Sequence, residues 1–300
     1  MIYVRADTIY NSNWELDTNK FTPNAHYVID FSSEHYGQDS VNQAHQQLTD
    51  MGIDFDILTY NPKDHLVRPN IHYNPYYYYY TVDKFKHIDI NNDQKKYKLS
   101  CLNGNPRFHR IYNYIELKQK PYFSKVLFSM HNNDSATRPD DYVLPDAYTK
   151  TWGSINLTLK SRENMVREAQ TRLDTQNSHE AYTNSYVNLV TETTVIPNVF
   201  VTEKTWKPIA SGQLFLIIGN CGIVDHLRDV GVDVYDDILD HKYYDAEPDW
   251  QSRIQKVHKL LDDLMTQDLQ HINQITLTRR QLNSHRFFSR ELNKQYVSIR

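Results

Sequence analysis

Glycine is scarce in this chain, 8 residues in 300, against a usual share of about 7%. That scarcity argues against architectures built on many tight glycine turns. Cysteine is scarcer still: Cys101 and Cys221 are the whole supply, which excludes a disulfide-stapled scaffold and leads us to expect free thiols in a reducing compartment. The opening "MIYVRADTIY" lacks the apolar core of a signal peptide, and no apolar run approaches a membrane span. A cytoplasmic protein with no membrane span is expected. There is no Walker loop and no GxGxxG, so ATPase and dinucleotide readings lack support. The 14 histidines show neither HExxH nor Cys-His zinc spacing. A broad positive field is missing too. The net charge is −4, and residues 1–95 carry 7 Lys and Arg against 13 Asp and Glu, which excludes holding nucleic acid by bulk charge alone.

What is present is an ordinary globular balance, 39% hydrophobic and 23% charged, with 23 tyrosines. "HYVIDF" (26–31) reads as a strand, "VNQAHQQLTDMG" as a helix stopped by Gly52, and "FDILTY" (55–60) as a second strand. That βαβ pattern predicts a parallel sheet. The stretch 74–96, headed by Asn-Pro, reads as a loop or connection. Its tyrosines 76–80 either stack sugar rings or unpaired bases, or line one face of an extended segment.

A second block follows, with strands at 97–102 and 125–130 and a helix starting near Pro106. Residues 131–160 are loop-rich, and 161–173 reads as helix. Strands are expected at 186–192 and 214–219, a short helix after Gly222, and a further strand at 232–237. The tail from Trp250 is helical, with Ile254, Val257, Leu260, Leu261 and Leu264 at helical spacing. The expected fold is α/β with two Rossmann-like lobes: a short one over 1–96 and a larger one over 97–300 with a helical C-terminus. In such folds ligands sit at the carboxyl ends of parallel strands.

The run "NVFVTEKTWKPIASGQLFLIIG" (198–219) falls at such a place. Thr202 can cap a helix, with Glu203 and Lys204 in its first turn. A lysine at the positive end of a helix dipole is either ordinary surface charge or one partner of a bound phosphate. "NGNPRFHR" sets Arg107 and Arg110 at another strand-to-helix junction, and arginine grips phosphate with two teeth. Two such junctions in one block suggest a diphosphate between them. "DFD" (54–56) has Asp-x-Asp spacing but opens a predicted strand, so no metal site is expected there.

"YVNLVTETTVIPNVFVTEKTWKPIASGQLFLIIG" resembles the donor-binding signature of the fucosyltransferase family. Asn188, Leu189, Glu192, Thr202, Glu203, Lys204 and Gly219 match it in order. "LNGNPRFHRIYNYI" is similar to the upstream family segment, and similar again to glycosyltransferase-like proteins encoded by bacteriophages. The resemblance spans roughly residues 97–245. It departs at Thr193, where the family has asparagine, and in a loop one residue longer before Glu203.

The resemblance implies a GT-B glycosyltransferase that needs no metal or cofactor and uses a nucleotide-diphosphate sugar. Glu203 would hold the nucleoside's sugar hydroxyls, Lys204 the phosphates and Arg107 the diphosphate, with Arg110, Asn188, Glu192 and Thr202 completing the donor pocket. Inverting transfer needs a general base, and the family's glutamate after an N-terminal strand corresponds to Glu34, with Asp30 and His35 as rivals. For the acceptor, a hydroxymethylated base in phage DNA is set ahead of a surface glycan or lipopolysaccharide. A non-catalytic nucleotide-sugar-binding module is the alternative from another class.

Overall fold

The computed structural model describes residues 1–10, 16–22, 24–33, 38–64, 68–103, 107–130, 180–292 and 294. Glu34, His35 and Pro106, and the loop and helix expected within 131–179, lie outside the described residues.

Two parallel sheets organise the chain. The first runs β1 (Ile2–Arg5), β2 (His26–Asp30), β3 (Asp54–Thr59) and β4 (Ile71–Tyr73), in chain order. β2 and β3 form because their apolar residues are buried on both faces, as in parallel sheets generally. Helix α1 (Gln38–Asp50) covers this sheet with Val41, Ala44 and Leu48 at helical spacing. It ends where Gly52 takes φ +65, with Ile53 N–H bonded to the Leu48 carbonyl and Gly52 N–H to that of Thr49. β1 and β4 were not expected from the sequence.

The second sheet comprises β5 (Tyr97–Leu102), β6 (Val126–Ser129), β7 (Ser185–Thr191) and β8 (Leu214–Ile218), ordered β6-β5-β7-β8. The chain passes from β5 outward to β6, then returns to lay β7 on β5's other side. Strand order therefore reverses between β5 and β7. Every residue of β7 and β8 is buried. Helices α2 (Tyr76–Lys84), α3 (Phe108–Lys118), α4 (Glu180–Thr183), α5 (Glu203–Ala210), α6 (Ile223–Asp229), α7 (Lys242–Asp245), α8 (Trp250–Met265), α9 (Leu269–Ile275) and α10 (Leu277–Phe288) follow.

Two expectations are corrected. Residues 76–84 are helical, neither loop nor extended strand. One tyrosine of the run, Tyr78, is fully buried against Trp206 and Phe287, at ring distances of 5.1 and 5.3 Å, and its hydroxyl donates to the Phe287 carbonyl. Tyr76 and Tyr80, four apart, stack on each other instead. Thus α2, which precedes the expected break at residue 96, packs into the second sheet's core through α5 and α10. Residues 232–237, expected as a strand, pair with no sheet among the described residues. Their backbone goes to α10 instead: Asn283 accepts from Asp233 N–H and donates to the Asp233 carbonyl.

The loops at the carboxyl ends of both sheets touch. Phe200 packs edge-on against Tyr60 and Tyr77, at 4.8 and 5.7 Å between ring centres. Tyr73 Oη lies 3.1 Å from His226 Nε2. Tyr77 Oη donates to the Ser33 carbonyl just beyond β2. Among the described residues no helix is long and apolar enough to cross a membrane.

Candidate functional site

The reversal between β5 and β7 places two helix starts side by side at the carboxyl end of the second sheet, where open α/β sheets bind ligands. α3 begins six residues beyond the end of β5 and α5 follows the 192–202 loop after β7.

Glu192 ties these parts together. It is fully buried, and its carboxylate accepts from Thr202 N–H (3.0 Å), Thr202 Oγ1 (2.6 Å), Thr205 Oγ1 (2.6 Å) and Thr193 N–H (3.1 Å). Hydrogen bonds to an ionised acceptor are short and strong. These four fasten the first turn of α5 to the end of β7. The Glu192 backbone is equally committed, since its carbonyl accepts from His109 Nε2 at 2.9 Å and Arg110 Nη2 at 3.0 Å. Thr202 caps α5 as expected from its hydroxyl, accepting from Lys204 N–H. Glu192 and Thr202 thus hold the helix mouth from behind rather than face outward.

Arg110 shares that inward role. It is buried and bonds the carbonyls of Thr191 and Glu192; burial, and then the charge of Arg107, bring its guanidinium down to about 10. His109 is buried beside it. Burial and the Arg110 charge hold it well below the usual histidine range, so it is neutral with its proton on Nε2, facing the Glu192 carbonyl. Its Nδ1 finds no partner among the described residues.

Arg107 differs from its neighbours. It is the N-cap residue of α3, half-buried and in extended conformation, and among the described residues no hydrogen bond or ion pair engages its side chain. Lys204 stands in the first turn of α5, its Nζ 3.1 Å from Glu203 Oε1 and 3.3 Å from both Thr193 Oγ1 and Thr202 Oγ1. Glu203 is partly covered. Burial opposes its charge, yet Lys204 and Lys207, with hydrogen bonds from Lys204 and its own backbone, bring its carboxyl down to about 2.

Asn188 is not gathered with these groups. It sits mid-strand between Ser100 and Phe215, buried, and its amide donates to Gln213. That is four residues, about 13 Å of strand, behind Glu192. Asp30 closes β2, buried, accepting from Tyr3 Oη and Ser32 N–H. The Asp54 and Asp56 pair faces His26 and His72, with Asp56 bridging the two rings at 3.0 and 2.9 Å. Among the described residues no group of three or more His, Cys, Asp or Glu could hold a metal ion.

Sequence reading missed two braces of the 192–202 loop. Arg253 donates to the carbonyls of Gly219 (3.0 Å), Val195 (2.7 Å) and Glu247. Asn220 accepts from Phe200 N–H and donates to the Ile196 carbonyl. A signal for the first existed: Arg253 follows Trp250 by three and precedes Val257 by four, so a charge stands on the apolar face of α8. The chain matches no family model, no curated protein and no solved structure.

Proposed function

We propose that the chain is a GT-B-like, fucosyltransferase-like glycosyltransferase that moves a sugar from a nucleoside diphosphate to a hydroxyl acceptor. The observation that carries this reading is the strand-order reversal between β5 and β7, with Arg107, whose guanidinium bonds nothing among the described residues, at the start of α3 and Lys204 at the start of α5. A diphosphate lying across that crevice meets two cations and the positive end of α3, whereas the first-turn N–H groups of α5 are already bonded to Thr202 and Glu203. As the bond from sugar to phosphate breaks, negative charge grows on the leaving diphosphate, and preorganised cations and helix dipoles lower the barrier by receiving it. Glu203, ionised through Lys204 and Lys207, is suited to accept hydrogen bonds from the ribose hydroxyls.

The contact of both sheets at their carboxyl ends supports an acceptor presented by the first sheet, with Glu34 beyond β2 as the proposed base. A hydroxymethylated DNA base is the first acceptor to try and a surface glycan the second; the base would have to be unstacked to reach the crevice. The test is a panel of nucleoside-diphosphate sugars in thermal melts, since a ligand that binds only the folded chain raises its melting temperature. At least one should raise it, and Arg107→Ala should cancel the rise. A panel that shifts nothing overturns the proposal.

A further inference from the structure

The opposite end of the second sheet holds a cavity of about 90 Å³ at the amino ends of β5, β7 and β8. Its chemistry is unbalanced. Arg280 lines it, buried, and every hydrogen bond of its guanidinium goes to a neutral group: Thr276 Oγ1, the Asn92 side chain, and the carbonyls of Gly212, Asn273 and Asn91. Lys95 lines it too, and donates to Asn91 Oδ1 at 3.0 Å. Among the described residues neither cation forms an ion pair with a carboxylate. Burial first, and then the charge of Arg280, lower the basicity of Lys95, while Asp93 works the other way. The one carboxylate on the lining, Asp89, is exposed.

A third group points to the same need. Asn273 is buried on the lining, and its Nδ2 finds no acceptor among the described residues. A buried amide donor without an acceptor is uncommon in native proteins and asks for an explanation. Two mutually repelling cations and an unused donor around one partly open space are all satisfied by a single anion. The space equals about three waters of liquid volume, enough for one phosphate-sized oxyanion and too small for a nucleotide.

We propose that this cavity binds inorganic phosphate or an oxyanion of its size, held by Lys95, Arg280 and the Asn273 amide. The site is separate from the Arg107 and Lys204 crevice, from which it is divided by the length of β7. It does not depend on the glycosyltransferase reading.

Inorganic phosphate, against sodium chloride at equal ionic strength, is the probe, and melting temperature the readout. Phosphate should raise the melting temperature of the unmodified chain and of Arg107→Ala alike, and should not raise that of Lys95→Ala. Asn273→Asp supplies the missing charge from within. It should melt higher than the unmodified chain without phosphate and gain nothing on its addition. A rise that vanishes in Arg107→Ala but persists in Lys95→Ala places the phosphate in the other crevice and overturns the proposal. So does the absence of any rise, or an Asn273→Asp chain that melts lower and still responds.

Discussion

Both sheets have four parallel strands, yet they differ in order and in what waits at their carboxyl ends. The first keeps chain order, β1-β2-β3-β4, with no reversal between its strands. Its end groups satisfy one another: Asp30 takes Tyr3 and Ser32, and Asp64 takes Thr59 Oγ1 and Asn61 Nδ2 at 2.7 Å each. The second reverses direction between β5 and β7 and leaves cations at the opening. Its buried carboxylates there face inward, Glu192 onto the start of α5 and Asp245 onto the start of α6. A carboxylate committed to the protein and an arginine with no bond among the described residues make a mouth that is braced from behind and, in the function proposed, takes an anion.

The largest expected effect breaks that brace. Glu192→Ala strands four donors behind α5 and should cost about 3–5 kcal/mol in urea unfolding. A loss below about 1 kcal/mol would show that the helix mouth is held by something other than this carboxylate.

The two arginines sharpen the contrast within the second sheet. Arg110→Ala takes a donor from the Thr191 and Glu192 carbonyls, of which that of Glu192 keeps His109, and should cost about 1–2 kcal/mol. Arg107→Ala removes a side chain that bonds nothing among the described residues, so stability should change by no more than about 0.5 kcal/mol. Only Arg107→Ala should abolish the response to a nucleoside diphosphate while the fold stays intact. Melts of both variants with and without the nucleotide separate the roles, and equal loss of stability would erase the distinction.

The uneven legibility of the chain has the same physical root. β7 and β8 were readable because burial on both faces writes a continuous apolar run, and Thr202 because a capping hydroxyl has a fixed place before a helix. β4, three residues long, and β1, with charged Arg5 and exposed Ile2 and Tyr3, carry no such run. The 76–80 tyrosines misled because only Tyr78 is fully buried, so no helical stripe shows. Strand 232–237 failed because alternating Val232 and Val234 bury themselves under α10 without pairing to β8. At the site, residue types suggested anion binding, but nothing in the sequence tells that Arg110 bonds the Thr191 and Glu192 carbonyls while Arg107 bonds nothing among the described residues. That depends on the carbonyls of Thr191 and Glu192, 81 and 82 residues away.

Acid should weaken the second sheet's surroundings. Burial brings His226, His241 and His258 down to about 4. The unfolded chain protonates these rings near pH 6.5, while the folded chain resists until about 4. Their contribution is therefore fully present above pH 6.5 and is lost as the pH falls from 6.5 toward 4. Between pH 6.5 and 5 this amounts to roughly 2 kcal/mol per histidine. His258→Gln should flatten the fall in melting temperature over that interval; an unchanged slope would mean the ring is not held neutral.

The smallest effect tests whether the sheets are coupled. Tyr73, at the end of β4, meets His226 of α6 through its hydroxyl at 3.1 Å and its ring edge at 5.6 Å between centres. Tyr73→Phe keeps the ring contact and removes the hydroxyl, and should cost about 1 kcal/mol. If the sheets unfold together, the urea midpoint shifts while the slope of the transition stays constant, because the surface exposed is the same. If they unfold separately, the loss falls on one transition and the curve broadens or splits. A single shifted transition would mean that the first sheet, in chain order, and the second, with its reversal, share one cooperative unit, with the Tyr73 and His226 contact part of what joins them.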